Sequence, residues 1–261
     1  MFPYLRVFGK TIPMYGICAV TGVLFAVMYL KLNARKEKEL EADIELAFVY
    51  SLLGAAIGAK LLYLLTVLSE FLHDLPFVVS ATDAFLNKYI YAGFVFYGGM
   101  IGSYCALWLH CRICHISFPV MAERMLPTFP LIHAFGRIGC FCMGCCFGRP
   151  TDSGLGIAFH ISEYAPNHVP LVPVQLIEAS VEFLLFGLAA KYSRSLGGRV
   201  SLGLYTLIYG AARFLLEFYR GDGYRGFIGP FSLSQLISVA AVVFGILLIR
   251  KRSPSPAGNS E

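Results

Sequence analysis

Arg137 lies inside a long apolar stretch of this sequence, flanked by Gly136 and Gly139. Glycines let the backbone approach a ligand closely, and the planar fork of a guanidinium suits a phosphate group. A second arginine, Arg149, follows another glycine shortly afterwards, in Gly148-Arg149-Pro150-Thr151. Helix packing through small residues could account for the glycines but does not require arginine. The segment therefore predicts a phosphate-binding site.

A second charged group stands near the end of a later apolar stretch. Arg213 and Glu217 are four residues apart, so they share a helix face and can neutralise one another. Either a structural ion pair or a direct contact with a ligand fits this spacing. Arg220 lies about one turn further on, where the headgroup of a lipid would sit.

Two further segments carry polar groups at the edge of apolar stretches. Gln175 and Glu178 fall in Pro173-Val-Gln-Leu-Ile-Glu178, with Glu182 one turn on. A glutamate in this position is costly unless it is paired or protonated, and Arg137 or Arg213 could be its partner. The other segment is Phe96-Tyr97-Gly98-Gly99, in which a tyrosine hydroxyl precedes a run of glycines.

Four of the eight cysteines fall within seven residues, next to Arg137. They are Cys140, Cys142, Cys145 and Cys146. Such a group could be disulfide-linked on an oxidising face, could bind a metal, or could be small and apolar only. The sequence leaves these alternatives open.

Cys111-Arg-Ile-Cys114-His115 matches the spacing of c-type haem attachment. Haem is attached on the outer side of a bacterial membrane, whereas the charge pattern described below assigns this loop to the inside. We therefore expect the spacing to be incidental.

The composition indicates the environment in which these groups must work. Of the 261 residues, 57% are hydrophobic and only 14% are charged, compared with about 25% charged in soluble domains. Disorder would need the opposite balance, a membrane barrel would need short alternating segments, and nucleic-acid binding would need a basic face. The sequence therefore predicts an all-α integral membrane protein with no nucleic-acid partner.

About seven stretches are long enough to be transmembrane helices, since roughly 20 apolar residues cross a bilayer. They are residues 14–31, 45–68, 92–110, 126–142, 173–190, 202–219 and 230–249. Lys and Arg are twelve on one set of loops and six on the other, which predicts an N-terminus outside and a C-terminus in the cytoplasm. We expect one membrane domain, 1–252, and a short disordered tail, 253–261.

The order and spacing of these motifs resemble the prolipoprotein diacylglyceryl transferase family of bacterial membrane enzymes. Tyr15-Gly16 resembles its Tyr-Gly in the first span, and the Tyr97 segment resembles its His- or Tyr-Gly-Gly. The two Gly-Arg segments around positions 137 and 149 resemble the family signature. The segments Pro173 to Glu178 and Arg213 to Arg220 also resemble family motifs.

The resemblance implies a transferase in lipoprotein biosynthesis, in the bacterial inner membrane. It implies that the diacylglyceryl group of phosphatidylglycerol moves to the lipobox cysteine thiol of a preprolipoprotein, with release of glycerol phosphate. Arg137 and Arg213 would hold the headgroup phosphate and Glu217 would orient Arg213. Tyr97 replaces a histidine of some members and would be a poor base. The implied lipid contacts are Tyr15, Gly98, Gly99, Gly136, Gly139, Arg149, Gln175, Glu178 and Arg220.

This sequence departs from the family pattern in the cysteine-rich segment. Two asparagines and a glutamate of the family are replaced in this segment. One of the asparagines corresponds to Cys140, and the glutamate corresponds to Cys145. The alternatives are a divergent relative with another acceptor, a cysteine-based redox or metal protein, and a transporter or purely structural membrane protein. For the diacylglyceryl transferase, the expected partners are phosphatidylglycerol, the signal peptides of preprolipoproteins and the lipid bilayer. No cofactor is expected.

Overall fold

A computed structural model gives the fold of the chain and divides it into two compact units. The first unit comprises Met1–Leu32 and Ala122–Glu261, and the second comprises Asn33–Met121. The structure describes residues 3–7, 9–35, 38, 40–77, 82–91, 93, 95–222 and 227–250. The predicted tail, 253–261, lies outside the described residues.

Helices form most of the first unit. They are α1 (Met14–Ala34), α7 (Thr128–Met143), α8 (Val174–Leu196), α9 (Gly198–Glu217) and α10 (Leu233–Arg250). The helix α6 (Phe118–Met125) runs from the second unit into the first. Helix α7 packs on α8, α8 on α9 and α9 on α10. The buried apolar contact among these helices includes Leu126, Leu185, Ala189 and Tyr205.

Three short antiparallel hairpins interrupt the predicted all-helical architecture in the first unit. They are β1 (Tyr4–Val7) with β2 (Lys10–Pro13), β3 (Ile157–Ala158) with β4 (Pro170–Leu171), and β5 (Phe227–Ile228) with β6 (Phe231–Ser232). Gly9 and Gly229 have φ values of 76° and 61°, which glycine adopts without strain and which the tight turns require. Helices nevertheless make up most of the described chain, so the helical fold class is confirmed with this addition.

The second unit is built on two long helices, α2 (Glu41–Thr66) and α5 (Phe96–Ile113). Two short helices, α3 (Leu68–Asp74) and α4 (Thr82–Phe85), lie in the chain between them. The Lys60 ammonium on α2 donates to the carbonyls of Tyr89 and Gly93, both at 3.1 Å. This cation inside an apolar stretch is therefore hydrogen-bonded to backbone oxygens.

Glycines spaced four apart set the distance between α2 and α5. Gly54 and Gly58 on α2 face Gly98 and Gly102 on α5, and a Cβ added at any of the four would lie 2.0–2.4 Å from a carbonyl oxygen opposite. No side chain fits at that distance, so the two backbones are in direct contact. Small residues at this spacing are typical of helix pairs in membranes.

The described helices overlap all seven predicted spans, with ends that differ by a few residues. Three of them are long and apolar enough to cross a membrane by length and composition: Met14–Ala34, Glu41–Thr66 and Leu233–Arg250. Helix α7 has only 16 residues, because it begins after Pro127 and ends at Gly144.

Candidate functional site

The arginine of α7 and the glutamate of α8 form a buried ion pair. The Arg137 Nη2 atom lies 2.7 Å from Glu178 Oε1 and 2.6 Å from Glu178 Oε2. The two side chains are 12% and 4% exposed. This close approach follows from the packing of α7 on α8, and it explains how a glutamate just inside an apolar helix is neutralised.

The arginine of α9 joins the same carboxylate from the other side. Arg213 Nη1 lies 2.7 Å from Glu217 Oε2, and Arg213 Nε lies 3.8 Å from Glu178 Oε1. Ser232, at the end of β6, donates from its hydroxyl to Glu217 Oε1 at 2.8 Å. The pairing of Arg213 with Glu217 predicted from their spacing is present in the structure. Glu178 therefore lies between two guanidiniums, both of which the sequence had suggested as partners.

Three aromatic side chains complete this polar network, and the sequence analysis did not identify them. Tyr209 donates to Glu178 Oε1 at 3.0 Å. One turn further along α8, Glu182 accepts from Tyr205 at 3.3 Å and contacts His133 Nδ1 at 2.6 Å. Tyr209 and His133 each precede a site arginine by four residues, so the helical spacing could have identified them.

The loop after α7 is tied to the start of α8 and the end of α9. Gln175, which is 1% exposed, donates from Nε2 to the carbonyl of Cys145 at 2.9 Å. The Arg149 guanidinium lies over the ring of Tyr219, at 4.9 Å from its centroid, and is exposed. The Arg220 side chain forms an ion pair with Asp222 at 2.6 Å and is buried. Among the described ion pairs, Arg149 and Arg220 take no part in those of Arg137, Glu178, Arg213 and Glu217.

The glycines near Arg137 differ in their surroundings. A Cβ at Gly139 would lie 3.0 Å from the ring and 3.1 Å from the Cα of Tyr15 on α1, so this glycine permits a close helix contact. A Cβ at Gly136 would meet nothing within 4 Å. Tyr15 itself is about half exposed. Of these residues, Gly136 is the one with open space beside Arg137 for another molecule.

Three predicted residues belong to the second unit. Tyr97, Gly98 and Gly99 lie in the first turn of α5, and the Tyr97 side chain is outside the described residues. Gly98 contacts α2, and a Cβ at Gly99 would lie 3.4 Å from the Ala55 carbonyl. Helix packing accounts for Gly98. Roles of these three residues in the reaction stay predictions.

Three of the four clustered cysteines converge at the end of α7. The Sγ atoms of Cys140, Cys145 and Cys146 all lie within 4.8 Å of one another, and each is a free thiol. Hydrogen bonds from Cys140 and Cys145, together with the positive charges of Arg220 and Arg137, lower the pKa of Cys146. The fourth, Cys142, lines a small recess beside Pro3 and His160 instead.

The two cysteines with the spacing of c-type haem attachment differ in exposure. Cys111 is buried in α5, whereas Cys114, just beyond the end of this helix, is exposed. The Cys114 thiol lies 3.8 Å from His110 Nδ1. This arrangement agrees with an incidental spacing.

The network can hold an anion next to the helix carboxylates. Two guanidiniums share one buried carboxylate, and their remaining N–H donors have fixed directions. Among the described residues, the buried Arg137 Nε has no hydrogen-bond partner. A buried donor in this state costs about 1–3 kcal/mol unless a ligand or water accepts from it. A phosphate oxygen would satisfy it.

Comparisons with known proteins agree with this chemistry. The family model for prolipoprotein diacylglyceryl transferase matches residues 3–250. A Clostridium tetani protein named phosphatidylglycerol–prolipoprotein diacylglyceryl transferase is 34% identical over 245 residues, 93% of this chain and 94% of that protein. A relative of the same name from Hydrogenovibrio crunogenus is 32% identical over 260 residues, 95% of this chain and 92% of that protein. The chain belongs to the prolipoprotein diacylglyceryl transferase family.

Proposed function

We propose that this protein transfers the diacylglyceryl group of phosphatidylglycerol to the lipobox cysteine thiol of preprolipoproteins and releases glycerol phosphate. One observation carries the proposal: the buried Glu178 lies between Arg137 and Arg213, and Arg137 keeps a buried donor without a partner among the described residues. The names of the relatives in the family give the same donor and acceptor.

The arrangement suits a reaction in which charge develops on a departing phosphate. The bond that breaks joins a glycerol carbon to a phosphate oxygen, and the electron pair leaves with the phosphate. Guanidiniums that are already oriented by carboxylates in a dry site stabilise this charge without reorganisation. Glu178 orients both arginines, Glu217 orients Arg213, and Tyr209 fixes the position of Glu178.

We further propose that the chain crosses the bacterial inner membrane about seven times, with the N-terminus outside and the C-terminus in the cytoplasm. The three apolar helices of sufficient length support a multi-pass arrangement. Helices α7, α8 and α9 carry charges, but their charges pair with one another, which lowers the cost of placing these helices in lipid. In this orientation, Arg149 and Arg220 lie at the outer rim, where the lipid headgroup would approach.

The test is transfer of labelled diacylglyceryl from phosphatidylglycerol to a lipobox peptide, with the purified protein in detergent. We expect labelled peptide and an equal amount of glycerol phosphate, and neither product with a peptide whose cysteine is replaced by serine. Arg137→Lys is the matched variant, because it keeps the charge and removes the fork. Absence of both products with the wild-type protein would contradict the proposal, even if phosphatidylglycerol remained bound.

A further inference from the structure

The three converging thiols of the first unit are held by an unusual turn. Gly144 ends α7 in a left-handed conformation, with a φ of 78°, and Cys146 has a φ of 56°. The Gly144 amide donates to the Cys140 carbonyl at 2.9 Å, and the Cys145 thiol lies 3.7 Å from the same oxygen. A non-glycine residue in the left-handed region is uncommon and needs support from its surroundings. The turn folds Cys145 and Cys146 back over Cys140.

This thiol triad, defined as Cys140, Cys145 and Cys146, adjoins the proposed phosphate site. Cys140 follows Arg137 by three residues on α7, so the two side chains are neighbours on one helix face. Gln175 holds the Cys145 carbonyl and precedes Glu178 by three residues on α8. The thiol triad and Arg137 are therefore positioned by the same pair of helices, α7 and α8.

The proposed reaction needs a thiolate, and in the part of the network that the structure describes each carboxylate is already held by another group. The acceptor must lose its proton because the thiolate is the nucleophile. Glu178 and Glu217 are both held by arginines, and Glu182 is bonded to His133 and Tyr205. A bound metal ion would provide a way to form the thiolate, because a thiol that coordinates a metal is deprotonated outright.

We propose that Cys140, Cys145 and Cys146 bind one zinc ion as three thiolates, and that its fourth position takes the acceptor thiol of the lipobox peptide beside Arg137. This inference rests on the function proposed above. Three protein ligands with one open position are typical of catalytic zinc sites. It differs from the sequence-based expectation of a reaction without a metal.

The distances are compatible with such a site. Zinc–sulfur bonds of about 2.3 Å place two thiolates of a tetrahedral site roughly 3.8 Å apart, and the three sulfur atoms already lie within 4.8 Å of one another. Rotation about the Cα–Cβ bonds closes the difference. Arg137 precedes Cys140 by three residues on α7, so its positive charge lies beside the thiol triad and offsets part of the negative charge of a zinc ion with three thiolates.

The step balances in atoms and charge. Binding to zinc releases the proton of the acceptor thiol to solvent. The zinc-bound sulfur attacks the glycerol carbon of phosphatidylglycerol, and the carbon–oxygen bond to phosphate breaks. The electron pair leaves with glycerol phosphate, held by Arg137 and Arg213. The thioether product has no negative charge, so it binds zinc weakly and dissociates.

The first experiment measures metal and needs no activity. We expect one zinc per chain in the purified protein, and less than a tenth of this in Cys140→Ser, Cys145→Ser or Cys146→Ser. Cys142→Ser, in the same segment but outside the thiol triad, should keep its zinc. Replacement by cobalt(II) should give an intense thiolate-to-cobalt absorption band. This band should change when a lipobox peptide is added and should not change with the serine form of the peptide.

The second experiment is the pH dependence of transfer. A zinc-bound acceptor remains a thiolate, so the wild-type rate should change less than twofold between pH 6 and 8. In Cys145→Ser the rate should be lower and should rise nearly tenfold per pH unit, because a free thiol has a pKa of about 8.5. Cys105→Ser, an exposed cysteine on α5, should keep the wild-type rate and profile.

The outcomes separate this inference from the proposed function. Transfer by a wild-type protein that holds no zinc, or full transfer by a variant with all three thiols replaced by serine, would overturn the zinc site and leave the transferase intact. A disulfide within the thiol triad of an active, unreduced protein would also overturn it. A cobalt band that responds to the peptide, without transfer from phosphatidylglycerol, would support the thiol-binding metal site and contradict the proposed donor.

Discussion

The α7–α8–α9 group and the α2–α5 pair solve the problem of helix association in different ways. In α2 and α5, four glycines allow the backbones to touch, and the atoms nearest to these glycines are backbone atoms and alkyl carbons. In α7, α8 and α9, two arginines and two glutamates form ion pairs below 4 Å, with tyrosines and a histidine around them. Contact through glycines requires no burial of charge. Burial of charged side chains is costly in free energy, so it is expected only where a reaction needs these groups.

In a chain rich in glycine, this difference indicates which region is a candidate for function. Glycines occur in both regions, so a glycine run does not by itself distinguish a ligand site from a helix contact. Buried charge distinguishes them. The comparison can be tested by substitutions that should affect catalysis in the charged region and stability alone in the glycine contact.

The largest effect is expected for Arg137→Ala. Loss of a fixed donor to the departing phosphate should lower kcat by about 10²- to 10³-fold, a cost of about 3–4 kcal/mol in the transition state. The unfolding temperature should fall as well, because Glu178 loses its closer guanidinium and keeps only Arg213 Nε at 3.8 Å. Transfer assays and thermal unfolding in detergent measure the two quantities. Lys60→Met, which removes a cation of the second unit, should leave the transfer rate near that of the wild type.

The next effect is expected in the glycine contact. Gly102→Val should destabilise the protein by about 3 kcal/mol or more, because its Cβ would lie 2.0 Å from the Gly54 carbonyl oxygen. Gly99→Ala is the control on the same helix, since its Cβ would meet the Ala55 carbonyl at 3.4 Å, an ordinary contact. Unfolding temperatures in detergent give the comparison. Equal values for the two variants would mean that the backbones are not in contact.

A smaller effect tests whether Arg213 and Glu217 act as one unit. Each single alanine variant should lower the transfer rate, and the double variant should be no slower than the slower single variant. The resulting coupling energy should lie within about 0.5–3 kcal/mol. As a control, Lys60→Met combined with Arg213→Ala should give additive effects. Additive losses for Arg213 and Glu217 themselves would argue against their pairing.

The smallest effect concerns an exposed group of the second unit. A hydrogen bond from Tyr89, followed by those of His73 and Lys88, lowers the pKa of Asp74 to about 2. The ordinary value is higher, so the contribution of Asp74 to stability is present above about pH 4 and disappears as the pH falls through 2. Asp74→Asn should therefore lower the unfolding temperature slightly at pH 7. Near pH 2 its unfolding temperature should match that of the wild type, and Asp83→Asn should lack this pH dependence.

Much of the helical framework could be predicted because long apolar stretches have one stable form in lipid. Every predicted span overlaps a helix of the structure, and the pairing of Arg213 with Glu217 follows from their spacing alone. The short hairpins could not be predicted, because strands of two to four residues have too little pattern. For example, Phe231 and Ser232 form a strand only because Gly229 provides the turn before them.

The site could be predicted only in part from the sequence. A charged residue in an apolar stretch must have a partner, but the sequence does not identify which residue that partner is. Glu178 had two candidate partners, and it contacts both. Tyr209 and Tyr205 looked like ordinary aromatic residues of an apolar helix, and their hydroxyl bonds depend on the packing of α9 against α8. The convergence of Cys140 with Cys145 and Cys146 depends on left-handed backbone conformations that residue types alone do not specify.

The ion pair between α7 and α8 has a consequence for the biogenesis of the protein. Arg137 and Glu178 are 41 residues apart, and a ribosome adds about 5–20 residues per second. For roughly 2–8 seconds, α7 therefore exists without the carboxylate that neutralises its arginine. An unpaired arginine at the centre of a span costs about 2.5–3.5 kcal/mol. In the seven-span arrangement proposed above, we expect α7 to stay beside the insertion machinery until α8 emerges, so that the two helices enter the lipid together.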